Sequence, residues 1–457
     1  MSAAVFFPND LDKNRILQEQ RWYNMLISQD TGNYKLSVDQ SSGKINKTVI
    51  NTMVPIASTI SDINSDLLFG EFPVIEAQVE QDKINEAFND YAFDSDFETK
   101  VSEAANVTSA QGTSFCRFWK VDGKTYYDFV KSSNTIWEED YTGLTNVRFI
   151  ENIEKKKNNQ ETWYEIQEHR LDNKKHIISH YYIITDDTRL VKDIEEIEAE
   201  VITGYDFLPV SKIINQGRLG KDTGRSDYEG KEQLFSEIDN RIDQNNSILE
   251  DNADPWIGLP AGVLDMNGNF NRRFGKMFEK GVSGSSVDNQ IDIVSYGAES
   301  IVPSMEHIKQ MVEMCFFTSR ISAPIAGLMT TNGGQAESGR ALKWKSVNTL
   351  SMITRKRKYW EKFIRDFVFI WGSLENYKIE KKMVAIEWKD GLPMDDKEII
   401  DGVIAQVNAK IMSRQKAVGV AQEISDEAIT EELNLIDGEE AQRFARESVN
   451  LGNAITI

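Results

Sequence analysis

Three sets of residues in this 457-residue chain have types and spacings that could do chemistry. Gly217-Arg-Leu-Gly-Lys-Asp-Thr-Gly224 resembles the end of a phosphate-cradling loop, where backbone amides and one lysine hold a nucleotide. That loop needs a glycine five residues before Gly220, where Asn215 stands, and a Ser or Thr after Lys221, where Asp222 stands. An aspartate beside phosphates repels them, so the stretch reads as a connecting loop. Asp265, Asn267 and Asn269 repeat the first ligands of a calcium loop. Phe270 then replaces the turn glycine and Lys276 the bidentate glutamate, which excludes calcium. The histidines are His169, His176, His180 and His307. His176 and His180 fall in a predicted strand, about 13 Å apart, too far to share a metal. No G-x-S-x-G nucleophile turn occurs. The expectation is no catalytic residue, no metal and no cofactor. The enzymatic alternative is a metal-dependent nuclease or phosphotransferase built from the many carboxylates, which magnesium-dependent DNA cleavage would reveal.

Composition fits a globular chain: 40% hydrophobic and 27% charged residues. Its 52 basic and 73 acidic residues give a net charge of −21. Phosphate binding depends on Lys and Arg displacing counterions, so this balance argues against a conventional DNA binder. It leaves room for a surface that DNA passes without adhering. Cys116 and Cys315 lie in apolar settings and read as reduced core thiols. Phe6-Phe7-Pro8 is too short for a signal peptide, and no run reaches 18 apolar residues, so a soluble protein is expected.

Such residues need elements to position them. A helix is predicted from Pro8-Asn9-Asp10 to Ser28, burying Ile16, Leu17, Trp22, Met25 and Leu26. A second is predicted over Asn46–Phe69, with Pro55 as a kink or its true first turn. A third stretch, Gln81–Ala110, comes in pieces, with Ile84, Phe88 and Tyr91 on one face, then Phe97, Val101 and Ala105. The period then changes to two. Strands are predicted over Ser114–Val121, Lys124–Val130, Asn146–Ile153, Glu161–Arg170 and His176–Ile184, with Asp122-Gly123 as a hairpin turn. This makes a mainly antiparallel sheet joined to helices, an α+β unit. Lys155-Lys156-Lys157-Asn158-Asn159 reads as a solvated hairpin tip.

After a strand at Val210–Ile214, a helix over Ser226–Asn252 turns Leu234, Phe235, Ile238, Ile242, Ile248 and Leu249 inward. Its outer face is expected to be acidic, with Glu232, Glu237, Asp239, Asp243, Glu250 and Asp251. A turn-rich insert, Trp256–Gly297, includes an Asn267-Gly268 hairpin signal. Ser300–Ile321 returns as a helix with Met305, Ile308, Met311, Val312, Cys315 and Phe316 on one side. The two helices are expected to be antiparallel neighbours with the insert at their far end. A polar segment, Met329–Ser338, then leads into a helix from Ser338 to Gly372, roughly 50 Å long.

The order is what identifies a family. Helical and β body, helix, small β insert, returning helix, polar loop, very long helix and helical C-terminus resemble the portal proteins of tailed double-stranded DNA bacteriophages, of the type found in long-tailed phages of Gram-positive bacteria. Leu67-Leu-Phe-Gly-Glu-Phe-Pro73, Gly333-Gly-Gln-Ala-Glu-Ser-Gly-Arg-Ala-Leu-Lys343 and Gly391-Leu-Pro-Met-Asp-Asp396 support it locally. The resemblance covers nearly the whole chain. It implies an elongated, helix-rich α+β subunit: residues 1–225 as wing, 226–255 as first stem helix, 256–298 as clip and 299–328 as second stem helix. Residues 329–338 follow as tunnel loop, 339–375 as the long spine helix, 376–394 as a wing strand and linker, and 395–457 as crown helices.

The same resemblance implies a twelve-fold homo-oligomeric ring at one capsid vertex. The large terminase packages double-stranded DNA through it without sequence specificity, and DNA later leaves by it. A head-completion or adaptor protein docks below, and the major capsid and scaffolding proteins surround it. It implies assembly in the host cytoplasm and no membrane partner. Thr330, Thr331, Asn332, Gly333, Gly334, Gln335 and Glu337 become the DNA-facing loop, small and polar as befits a surface that reads no bases. Glu232, Glu237, Asp239 and Asp243 become candidates for an acidic channel lining. Asp265, Asn267, Asn269, Arg272, Arg273 and Lys276 become the docking surface of the clip. Lys343, Lys345, Arg355 and Arg357, with Lys356 and Lys358 beside them, are expected to meet acidic faces of a neighbouring subunit. Another ring-forming head-tail connector is the remaining structural alternative.

Overall fold

Phe367, near the C-terminal end of the longest helix among the described residues, lies at the centre of an aromatic cluster in the core. Its ring centroid lies 4.3 Å from Phe97, 4.8 Å from Phe118 and 5.0 Å from Tyr127. The computed structural model describes residues 10–27, 34–38, 45–50, 53–77, 82–141, 143–156, 161–184, 200–253, 256–259, 277–279, 292–294, 301–328, 344–389, 396–422, 429–430 and 432–439. The chain divides into two compact units, Met1–Thr330 with Ser346–Gly391, and Thr331–Lys345 with Leu392–Ile457.

The first unit is α+β. It opens with α1 (Asp10–Ile27), a hairpin of β1 (Tyr34–Val38) and β2 (Ile45–Ile50), and α2 (Ile56–Phe69). Asn46–Ile50 is therefore strand, against the helical expectation. Thr48, Val49 and Ile50 are β-branched and pair with Leu36, Lys35 and Tyr34. Pro55 caps α2 and starts it afresh. After β3 (Val74–Ala77) come α3 (Asp82–Asp94) and α4 (Phe97–Gln111), separated where Asp96 takes a positive φ. Gly112, at φ +83°, ends α4 in the left-handed cap conformation.

Two antiparallel sheets follow. In the first, β4 (Thr113–Val121) pairs with β5 (Lys124–Lys131) and β11 (Val210–Ile214). Asp122 and Gly123 both have positive φ, the turn that suits the strand twist. The second has the order β10-β9-β8-β7-β6. Its strands are β6 (Thr135–Asp140), β7 (Gly143–Lys156), β8 (Glu161–Asp172), β9 (Lys175–Ile184) and β10 (Val201–Ile202). Lys155 and Lys156 end β7; the tip of that hairpin lies outside the described residues.

Then come α5 (Glu232–Ala253), a sheet of β12 (Trp256–Leu259), β13 (Met277–Glu279) and β14 (Asp292–Val294), and α6 (Ile301–Thr318). The long helix α7 spans Val347–Leu374, about 42 Å. It starts later than the predicted Ser338. Ser346, in the bridge conformation, breaks the helical run, and residues 329–343 lie outside the described ones. Thr349 pins this start, its hydroxyl accepting from the Ser322 amide and donating to the Arg320 carbonyl. From there α7 threads the core, burying Met352, Ile353, Trp360, Phe363, Ile364, Phe367, Ile370 and Trp371. A last strand, β15 (Val384–Glu387), pairs antiparallel with β3. Three residues expected inside, Leu17, Leu249 and Met305, are exposed. Leu17 lies on the face of α1 opposite Trp22, whereas Leu249 and Met305 keep the phase of their stripes but sit toward the insert ends of α5 and α6.

The second unit contains α8 (Asp396–Asn408) and α9 (Arg414–Gln422), packed on each other. Gly419 lies under Ile429, and Arg414 pairs with Asp437 at 3.0 Å.

Candidate functional site: the helix pair, its β insert and the charges around it

An amphipathic helix must bury its apolar stripe, and α5 and α6 bury theirs on the same core. Phe235 and Ile238 of α5 join Ile308, Met311, Cys315 and Phe316 of α6 in that core, with Ile242 packed at its edge. At one end, Lys231, just before α5, is close enough to Cys315 for its charge to act on the thiol. Burial nevertheless pushes that thiol up to about 12, an inert core cysteine. At the other end, the strand after α5 pairs antiparallel with the strand before α6, Trp256 opposite Val294 and Ile257 opposite Ile293. The two helices therefore run antiparallel. The third strand, β13, lies parallel to β12 on its other edge.

The four acidic positions predicted along α5 do different things. Glu232 accepts from Trp22 Nε1 at 2.8 Å and from Gln18 Nε2 at 3.3 Å, tying α5 to α1. Asp239 accepts from the Val54 amide at 2.9 Å. Burial, with the Asp243 charge added, holds the Asp239 carboxyl above the usual carboxylate range despite that bond. Glu237 pairs with Arg241 one turn on, at 2.8 Å. Asp243 is half-buried. The stripe of α5 that is exposed instead carries Gln233, Ser236, Asn240, Gln244 and Ser247. The expected acidic outer face is in this subunit a face of amides and hydroxyls, flanked by carboxylates. Helix phase carries the signal: 232, 239 and 243 share one flank, next to the apolar positions 235 and 242.

The basic residues of α7 also separate. Lys356 was expected at a subunit boundary and is fully buried within its own chain. Its amine donates to Asp227 Oδ2 at 2.5 Å and to Asn64 Oδ1 at 3.0 Å. A charge in a core persists only when paired this way. Arg357 donates to the Lys389 carbonyl at 2.8 Å and lies over the Trp388 ring, so it too serves the subunit. Arg355, Lys358 and Lys345 are exposed. Lys343 lies outside the described residues. So do the loop residues Thr330, Thr331, Asn332, Gly333, Gly334, Gln335 and Glu337, and Asp265, Asn267, Asn269, Arg272, Arg273 and Lys276 of the insert.

A histidine pair escaped sequence reasoning. His169 Nδ1 and His176 Nε2 lie 3.1 Å apart between β8 and β9, with His176 Nδ1 2.8 Å from the Thr203 hydroxyl. Burial lowers both, His176 to about 4 and His169 well below the ordinary imidazole range, so the pair is neutral near pH 7. Its signal is register, which strand periodicity does not reveal. Among the described residues no group of three or more His, Cys, Asp or Glu side chains could hold a metal ion. No described helix is long and apolar enough to cross a membrane.

These elements make a helix pair bridged by a small sheet and rooted in a wider α+β body. Residues 9–449 match the model of the phage portal protein family, SPP1 Gp6-like, and the chain belongs to that family. A search of curated proteins finds no match. Its function is that of a phage portal, a structural component of viral DNA packaging and of the head-tail connection in the virion. The family is a structural one, it forms ring oligomers, and its members interact with capsid and terminase in general. Nothing favours the nuclease alternative.

Proposed function

We propose that twelve copies of this chain close into a ring at one capsid vertex. The large terminase drives double-stranded DNA through its channel, and the DNA later leaves by the same route. In this reading α5 and α6 are the stem, the 256–298 insert is the clip where terminase and then a head-completion or adaptor protein dock, and 329–338 is the tunnel loop. The body within 1–225, the spine helix and the 376–394 segment make the wing, which meets the major capsid and scaffolding proteins. Residues 395–457 make the crown. The ring assembles in the host cytoplasm.

The observation that supports this most is the antiparallel α5–α6 pair with β12 and β14 joined at its far end, inside a chain matched by a portal family over residues 9–449. The polar stripe of Gln233, Ser236, Asn240 and Gln244 suits a wall past which DNA slides. It offers hydrogen bonds but no cation to hold a phosphate. The carboxylates Glu237 and Asp243 add repulsion, multiplied around a closed ring.

Class-averaged end views by negative stain, with native mass, test the proposal. Rings with a central hole are expected. Monomers alone, at high concentration and with scaffolding protein present, overturn it. Deleting Asn332–Ala336 is expected to leave rings intact and to abolish packaging; loss of rings would mean that the loop is misplaced.

A further inference from the structure

The last residues before α5 are fixed to the body by a cluster of buried polar bonds beside the packed ring of Tyr228. Asp227 Oδ2 accepts from Lys356 Nζ of α7 at 2.5 Å and from Ser109 Oγ of α4 at 2.6 Å. Its Oδ1 accepts from Gln216 Nε2 at 3.4 Å. The Asp227 amide donates to the Ser109 carbonyl, and its carbonyl accepts from Lys231 Nζ. Tyr228 adds a 2.7 Å hydroxyl bond to Ser61 of α2. Three residues before Asp227, Gly224 passes so close to the end of α4 that a Cβ there would lie 1.9 Å from the Gly112 carbonyl oxygen. Lys356 and Asp227 are 0% and 8% exposed at their side chains. The helices α4 and α7 thus meet on one carboxylate at the root of α5, and α2 joins them through Tyr228 and through Asn64, whose Oδ1 accepts from Lys356 Nζ at 3.0 Å.

We propose that Asp227 and Lys356 are positioning residues for DNA packaging: their ion pair fixes the direction in which α5 leaves the body, and so where it places the β12–β14 sheet. This inference rests on the portal reading. Apolar contacts tolerate sliding and lose uniqueness before stability, whereas a buried, hydrogen-bonded pair fixes register. Leverage makes the direction matter. With 22 residues α5 is about 33 Å long, so a tilt of about 5° at its root moves its far end by about 3 Å. That is enough to misalign a docking surface repeated around a ring.

The test is Lys356→Met/Asp227→Asn, which removes both charges at nearly constant volume. Spin labels on cysteines at Gln244 and Lys358, both exposed, report the distance between α5 and α7 by pulsed electron resonance; the native Cys116 and Cys315 are buried. Expected are retained folding and ring formation, a label distance shifted or broadened by about 2 Å or more, and a packaging yield at least tenfold below wild type. An unchanged label distance, or an unchanged packaging yield, overturns the inference. Should that variant fail to fold, Asp227→Glu keeps the charge and lengthens its arm, and the same two readings decide. Failure of the wild-type chain to form rings would instead count against the portal reading, while the label distance would still report on the α5 root.

Discussion

The two longest helices among the described residues, α7 and α5, use opposite means to the same end. α7 buries thirteen of its 28 residues and is held by aromatic packing against α2, α3, α4 and both strands of the β4–β5 hairpin. α5 buries Phe235, Ile238 and Asn245 on a helix that is otherwise half-buried or exposed where its side chains are described. It is held at its edges by polar bonds: Trp22 and Gln18 to Glu232, Val54 to Asp239, and the Asp227 node at its root. A helix in the core is fixed by volume. A helix on display must be fixed by direction, because it lacks neighbours on its free side.

The comparison breaks most easily at α7. Phe367→Ala would leave a cavity between Phe97, Phe118 and Tyr127 and is expected to cost about 3–5 kcal/mol. Leu249→Ala on α5, an exposed leucine, is expected to change stability by less than about 0.5 kcal/mol. Denaturant midpoints of the two variants measure the contrast. Similar losses would show that α5 packs as tightly as α7.

This asymmetry explains which features were legible in the sequence. The stripe Ile353, Trp360, Phe363, Ile364, Phe367 and Trp371 has a helical period because a core imposes one, and it located α7 and the body around it. Five of the six strands from 113 to 184 were legible for the same reason, through a period of two; β6 was not, because its residues Thr135, Ile136 and Trp137 are buried in succession and the next three are exposed. Lys356 sits on that same stripe, three residues after Ile353 and four before Trp360, yet its type argues for solvent. Only its partner, Asp227, distant in sequence and met in the fold, makes burial possible. The Asn46–Ile50 strand was hidden because its apolar residues also fit a helix continuing into α2. His169 and His176 meet through strand register. Long-range polar pairing, unlike hydrophobic period, leaves no local trace.

A second contrast lies in pH, where two buried sites pull in opposite directions. The histidines are lowered in the folded chain, so between pH 6.5 and about 4 the unfolded state binds more protons. Their contribution is complete above pH 6.5 and is lost as the pH falls toward 4. Glu19 is raised to about 7 by burial, which outweighs Arg15 at 2.8 Å; that guanidinium also serves the Ser132 and Thr135 carbonyls. Folding takes up a proton there, so its contribution weakens as the pH rises from about 4.5 through 7. Thermal melts across pH 4–8 are expected to show His176→Gln flattening the acid limb and Glu19→Gln flattening the neutral one. Identical profiles in both variants would remove the assignment.

Two neighbouring positions on α5 sharpen the comparison at its finest scale. Asp239→Ala removes the acceptor of the Val54 amide and is expected to cost about 1–3 kcal/mol, the penalty of an unpaired partly buried donor. Asn240→Ala, one residue along on the exposed stripe, is expected to change stability by less than about 0.5 kcal/mol. If the free stripe serves a channel wall, Asn240→Lys should also leave the monomer's melt unchanged while slowing packaging, because a cation repeated around the ring would hold phosphates that the amide lets pass. A change in the melt would place residue 240 in the subunit's own packing. An unchanged packaging rate would place the stripe away from the DNA.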